Sequence, residues 1–261
     1  MIRASQLSMF VALVTLVIIG QSCASPQPLV DGAHAKAAPP PRASEPKLVR
    51  IGSDIVVNLA NSEVVIGAQV AARIGWLEQL VCKAGTREHE SLLAVEAKPK
   101  LIHAALLAAG ITHGSPGEWI ELAPDSSGKA ILQLRPPTGS PVEILVRWKS
   151  GDDEHESKLC DWVRRVPDDS TANALVPFPC NRFVFAGSRV RPNPPSLGPG
   201  EHYVADYTGS IVGLVTFGDE VIAFEEVIPD RVDIAAPLWE AWTDRIPPEG
   251  TPVDLVIRPR R

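Results

Sequence analysis

Hydrophobic residues follow two regimes along this chain. Between residues 9 and 19 they form one nearly unbroken run, Met-Phe-Val-Ala-Leu-Val-Thr-Leu-Val-Ile-Ile, and from about residue 48 they break into short stretches set among polar residues. The short stretches are rich in β-branched residues and predict strands. Residues 54–59 and 63–70 read as two of them, with Ala60-Asn61-Ser62 as the turn. Residues 76–82 and 88–95 read as another pair, joined through a turn at 83–86. Further strands are predicted at 129–134, 142–148, 154–160, 182–186, 210–217, 220–224 and 253–257, with Gly218-Asp219 making a tight hairpin between two of them. The clearest helix covers 99–110, where Ile102, Ala105, Leu106 and Ala109 share one face, Pro99 sits in the first turn and Gly110 follows the end. A second, short helix is predicted at 238–243, and the proline-rich stretch 191–199 reads as a long surface loop. Strands joined mostly by hairpins, without βαβ alternation, predict the α+β class: a single mixed, mostly antiparallel β domain with a few short helices over residues 48–261.

The early apolar run has a different meaning. About a dozen apolar residues fall short of the roughly 20 that a transmembrane helix needs. Preceded by Arg3 and followed by Gly20-Gln21-Ser22-Cys23-Ala24-Ser25, they match a secretory signal peptide covering residues 1–22. Cys23 directly after Ser22 suits lipoprotein processing, in which that cysteine becomes the acylated first residue, although Gly20 stands where Leu is usual. Soluble export after a cut at the small residues is the alternative. Residues 23–47, with three consecutive prolines at 39–41 and little to bury, read as an extended tether. The expected location is therefore the cell envelope, with the domain on the periplasmic side and a membrane partner through the lipid.

Composition narrows the function only by exclusion. A hydrophobic content of 45% and a charged content of 21% describe a folded domain, and a net charge of −6 argues against nucleic acid as a partner. If Cys23 is lipidated or removed, Cys82, Cys160 and Cys180 remain in an oxidising compartment. Cys160 and Cys180 are the candidates for a disulfide, which leaves Cys82 free and buried. No C-x-x-C pair is present, so a thiol oxidoreductase or zinc ribbon is disfavoured. The six tryptophans read mostly as core anchors.

There is no phosphate-binding glycine loop, no G-x-S-x-G elbow and no H-E-x-x-H. The best chemical constellation is Glu88, His89, Glu90 and His103. Two imidazoles with a carboxylate are a zinc-type donor set, so His89 and His103 are the candidate metal ligands, and His89, Glu90 and His103 the candidate catalytic groups. If 88–95 is a strand, His89 and Glu90 point to opposite faces and cannot grip one ion together. A structural pair, orienting the helix on the sheet, is the competing reading. The tetrapeptide Glu-His-Glu-Ser recurs at 154–157, where it marks a solvated hairpin.

Several stretches resemble the YdjY-type domain of bacterial exported proteins and lipoproteins. They are Arg87-Glu88-His89-Glu90-Ser91-Leu92-Leu93 leading into Ala97-Lys98-Pro99-Lys100-Leu101-Ile102-His103-Ala104-Ala105-Leu106-Leu107, then Arg182-Phe183-Val184-Phe185-Ala186-Gly187-Ser188 and Thr208 to Asp219, closed by Pro248-Glu249-Gly250-Thr251-Pro252-Val253. The resemblance covers residues from about 50 to 258 and implies one α+β domain behind an export signal. It implies no reaction and no cofactor. Two functions follow as expectations: a lipid-anchored binding or interaction domain with a partner in the envelope, or a metal-dependent or acid–base hydrolase using the His89/His103 pair.

Overall fold

The computed structural model describes residues 47–124, 128, 131–166 and 176–261. The expected signal peptide, Cys23 and nearly all of the tether lie outside the described residues. From the N-terminal side the strands are β1 (Leu48–Ile51), β2 (Ile55–Asn58), β3 (Glu63–Val70), β4 (Gln79–Lys83) and β5 (Ser91–Val95), followed by helix α1 (Pro99–Ala108). Next come β6 (Glu118–Leu122), β7 (Ile131–Arg135), β8 (Pro141–Ser150), β9 (Asp153–Lys158), β10 (Val163–Arg165), β11 (Phe183–Phe185), β12 (Val190–Pro192) and β13 (Glu201–Tyr203). Helix α2 (Val204–Thr208), β14 (Ser210–Gly213), β15 (Ile222–Phe224), β16 (Trp239–Ala241) and β17 (Pro252–Pro259) complete the chain.

Eight of these strands close on themselves. The order β3-β17-β8-β11-β15-β14-β4-β5 returns to β3, because β3 pairs with both β17 and β5. The structure thus overturns the α+β expectation: this is a closed β-barrel with added strands, and the helices are short accessories. Strands β1 and β2 extend β3 on one side and β9 extends β8 on the other. Pairings β4–β5 and β14–β15 are parallel, and the other pairings are antiparallel.

Alternation along the long strands fills the interior. Val64, Ile66, Ile144, Val146, Leu255 and Ile257 are almost completely buried, and the register sets Ile66 and Val146 on either side of Leu255. Each such aliphatic side chain stabilises the fold by about 1.5–3 kcal/mol when fully buried. A second aromatic layer joins the sheets: Phe178 lies 4.6 Å from Trp239 and 4.9 Å from Phe224, ring centre to ring centre. Helix α1 lays Ile102, Ala105 and Leu106 on the barrel, and Gly110, with φ +83°, ends it in the left-handed conformation that favours glycine.

Four local expectations change. Residues 88–90 form a 3₁₀ turn before β5, so the strand begins only at Ser91. Segment 238–243 is not a helix: Trp239 and Ala241 are the buried positions of β16, with half-buried Glu240 between them. Strands β14 and β15 are not a hairpin but run parallel, because the chain between them loops out and returns. The predicted loop at 191–199 contains part of β12, which pairs with β13. Cys160 and Cys180 form a disulfide with Cα atoms 5.3 Å apart, and Cys82 is free and buried, with burial pushing its thiol pKa upward.

Candidate functional site

The 3₁₀ turn places His89 and Glu90 on the same side of the molecule, which the strand reading did not allow. His89 Nε2 lies 3.6 Å from Glu90 Oε2, and Glu90 Oε1 accepts a hydrogen bond from Arg87 Nη1 at 3.2 Å. A third partner comes from the segment before β4. The Glu78 backbone N–H donates to Glu90 O at 3.1 Å, while the Glu78 carbonyl accepts from Leu214 and Val215. Glu78 is therefore fixed where three chain segments meet, and its carboxylate shares Arg87, at 3.9 Å, with Glu90. The guanidinium rests 4.0 Å from the centre of the Phe217 ring.

These groups lie at a cavity of 450 Å³ whose wall is mainly apolar. Trp76 stands on one side, 61% exposed despite its size, and Val232 on the other is 74% exposed. Buried Trp239 and Ile228 form deeper parts of the lining. The loop carrying Val232 is fastened at its start, where Thr216 N–H donates to Ile228 O at 2.7 Å. It is also tied to the β6–β7 hairpin, since Trp119 Nε1 donates to Asp230 and Arg231 pairs with Glu121.

Electrostatics distinguish this cavity from the other depressions. Burial, then the charge and hydrogen bond of Glu90, raise the Glu78 carboxyl to about 7, with Asp230 adding and Arg87 opposing. Two carboxyl groups, Glu78 and Glu90, thus share one arginine. A larger depression of 960 Å³ is lined by more cations than carboxylates, Lys158, Arg258, Arg260 and Arg261 beside Glu63 and Glu143, and there Glu143 binds Lys158 at 3.2 Å and Arg258 at 2.8 Å. In a third, of 610 Å³, Arg147 is held between Glu63 and Glu156. The cavity beside Trp76 combines a mainly apolar lining with two carboxylates, Glu78 and Glu90, that share Arg87.

His103 belongs to a different cluster. Its Nδ1 lies 3.1 Å from Gly187 O and 3.0 Å from the Tyr203 hydroxyl, which itself donates to Gly187 O at 3.0 Å. The His113 ring is centred 5.0 Å from it, and Phe185 presents an edge at 5.0 Å. Burial, and then the charge of His113, hold the His103 pKa below its ordinary value against the Gly187 carbonyl. Burial pushes Tyr203 upward, so it stays a hydroxyl donor. His89 and His103 share no partner in these contacts, so Glu90 and His89 fall in the cavity and His103 in the α1 contact. Sequence reading missed Glu78, Asp230, His113 and Tyr203; nothing local marks them, because the fold unites them across large sequence separations.

The barrel thus carries, beside Trp76, a mainly apolar cavity that is also lined by Glu78, His89 and Glu90. The model of the YdjY domain family matches residues 55–258, and the chain belongs to that family. No curated protein and no solved structure matches the chain.

Proposed function

We propose that this protein is an exported, lipid-anchored component of the cell envelope whose YdjY domain is a binding module, with its ligand site in the cavity beside Trp76. The observation that carries the binding reading is the Glu78–Glu90 pair at the cavity, backed by Asp230 and overhung by an exposed tryptophan. Carboxylates in excess of nearby cations attract positive charge, and an indole face beside apolar residues accepts an aliphatic or cationic group. The matching ligand chemistry is an amine or guanidinium borne on an apolar stem, whether a side chain of an envelope protein or a small molecule.

Export rests on the apolar run at 9–19, and anchoring on Cys23. The Cys160–Cys180 disulfide supports the oxidising compartment that export implies. Among the described residues no helix is long and apolar enough to cross a membrane, so attachment in this reading falls to the lipid. Cys23→Ser is expected to move the processed chain from the membrane to the soluble fraction. Retention of that variant in membranes at the wild-type level rejects the anchor.

The hydrolase alternative depends on His89 and His103 acting together, and their separate partners give it no support. The binding reading is tested by titrating the full chain with hexylammonium and following tryptophan fluorescence. Glu90→Gln is expected to weaken binding at least about tenfold, or about 1.4 kcal/mol. Glu78 ionises through about 7, and its charged form attracts the cation, so affinity rises between about pH 6 and about pH 8. Affinity that falls over this range, or is unchanged by Glu90→Gln, counts against the site.

A further inference from the structure

Two imidazoles outside the cavity are built around one glycine. Gly187 has φ +92°, and a Cβ placed there would lie 2.8 Å from both Cβ and Nδ1 of His113, so the ring of His113 rests directly on the Gly187 backbone. The carbonyl of the same glycine meets Nδ1 of His103. A carbonyl oxygen only accepts, so that contact puts the proton of His103 on Nδ1. His113 makes the equivalent contact from its own Nδ1 to Gly114 O at 3.0 Å, with the same consequence. Both rings therefore carry their proton on the nitrogen turned to the backbone, and both keep a lone pair on Nε2. This is the arrangement in which histidine binds metals: one nitrogen donates to a fixed acceptor and the other is free to ligate.

The spacing fits as well. An imidazole ligating at roughly 2.0–2.1 Å has its ring centre about 3.2 Å from the ion, so two rings meeting near the tetrahedral angle stand about 5 Å apart. The centres of His103 and His113 are 5.0 Å apart, with the planes inclined at 52°. Phe185 presents an edge to both rings and Tyr203 an edge to His103, so aromatic packing holds their orientations. His113 is exposed and His103 half-buried, which leaves the pair open to solvent.

We propose that His103 and His113 form a binding site for a first-row transition-metal ion, with the remaining positions of the ion open to water or to a group brought by a partner. Two imidazole ligands favour the ions at the copper end of the divalent affinity series, so Cu²⁺ is the sensitive probe and Zn²⁺ the natural competitor. This inference is independent of the cavity beside Trp76 and stands or falls separately.

The test is a Cu²⁺ titration of the full-length chain in detergent, followed by electron paramagnetic resonance. One ion per chain is expected, with a spectrum showing two imidazole nitrogens, and Zn²⁺ is expected to displace it. His113→Ala and His103→Ala should each weaken binding at least about tenfold and remove one nitrogen from the spectrum. His89→Ala should leave both unchanged. His103 also bonds across to Gly187, so its variant can lose stability; exposed His113 is the variant that separates metal binding from folding, checked by a thermal melt. No stoichiometric ion in the wild type, or a two-nitrogen spectrum that survives His113→Ala, overturns the site.

Discussion

Gly139→Ala is expected to cost more than about 4 kcal/mol and to leave little or no folded domain at physiological temperature. Three chain segments cross here at backbone contact. Gly114 N–H donates to Phe185 O at 2.9 Å, and Gly139 bridges His113 from the opposite side. A Cβ on residue 139 would stand 2.0 Å from Phe185 O and 2.8 Å from its carbonyl carbon. Both are main-chain atoms, so no rotamer change relieves the clash, and φ +139° is itself a conformation that side chains resist. Gly151→Ala is the control. It also has positive φ, +63°, but nothing lies within 4 Å of its added Cβ, so only the conformational cost of about 1–2 kcal/mol applies. Urea melts of the two variants separate the steric effect from the backbone effect, and equal losses would refute the crossing as the cause.

The second large effect is a dependence of stability on pH. Glu220 is 1% exposed, and its Oε1 accepts from the backbone N–H of Phe217 and Gly218 while Oε2 has no partner among the described residues. Its side chain fills the place that Gly213 leaves open, where a Cβ would come within 2.5 Å of its Cγ. Burial, reinforced by the neighbouring Asp219 charge, raises the carboxyl from 4.5 to about 7, and backbone hydrogen bonds oppose the rise. A raised acid means that the fold prefers the neutral form. The contribution is thus fully present below the unfolded value of 4.5 and is lost as pH climbs through about 7. The loss amounts to about 3 kcal/mol. Glu220→Gln keeps the acceptor oxygen and cannot ionise. Between about pH 5 and about pH 8 the wild type should therefore lose up to about 3 kcal/mol relative to the variant. Parallel pH profiles for the two proteins would exclude Glu220 as the source.

Local physics made some of this fold legible. Strands β2, β3, β8 and β17 announce themselves through β-branched runs, and α1 through its apolar face, Pro99 and Gly110. Closure of the barrel is invisible from the chain, because β5 joins β3 through only Gln69↔Ala94 and Val70↔Leu93. Trp239 and Trp242 fit a helical face by spacing, yet Trp239 and Ala241 fit a strand equally well, and pairing with β10 decided it. Gly218-Asp219 looked like a hairpin turn, but the Glu220 carboxylate captures the N–H groups of Phe217 and Gly218 and redirects the chain. The cavity was half legible. His89 and Glu90 stood out, whereas Glu78 is twelve positions away and reaches them only because its backbone N–H bonds to Glu90 O. Burial of a tryptophan depends on what packs above it, so Trp162 at 1% exposure and Trp76 at 61% were indistinguishable in sequence.

The most direct measurement of ligand binding beside Trp76 is the indole N–H region of the NMR spectrum of the isotope-labelled chain during a hexylammonium titration. Saturable shifts are expected for Trp76 and Trp239, which line the cavity, with Trp148 and Trp162 unmoved and the response abolished by Glu90→Gln. Indole signals of Trp76 and Trp239 that stay in place, or that move no more than those of Trp148 and Trp162, would contradict a binding site there.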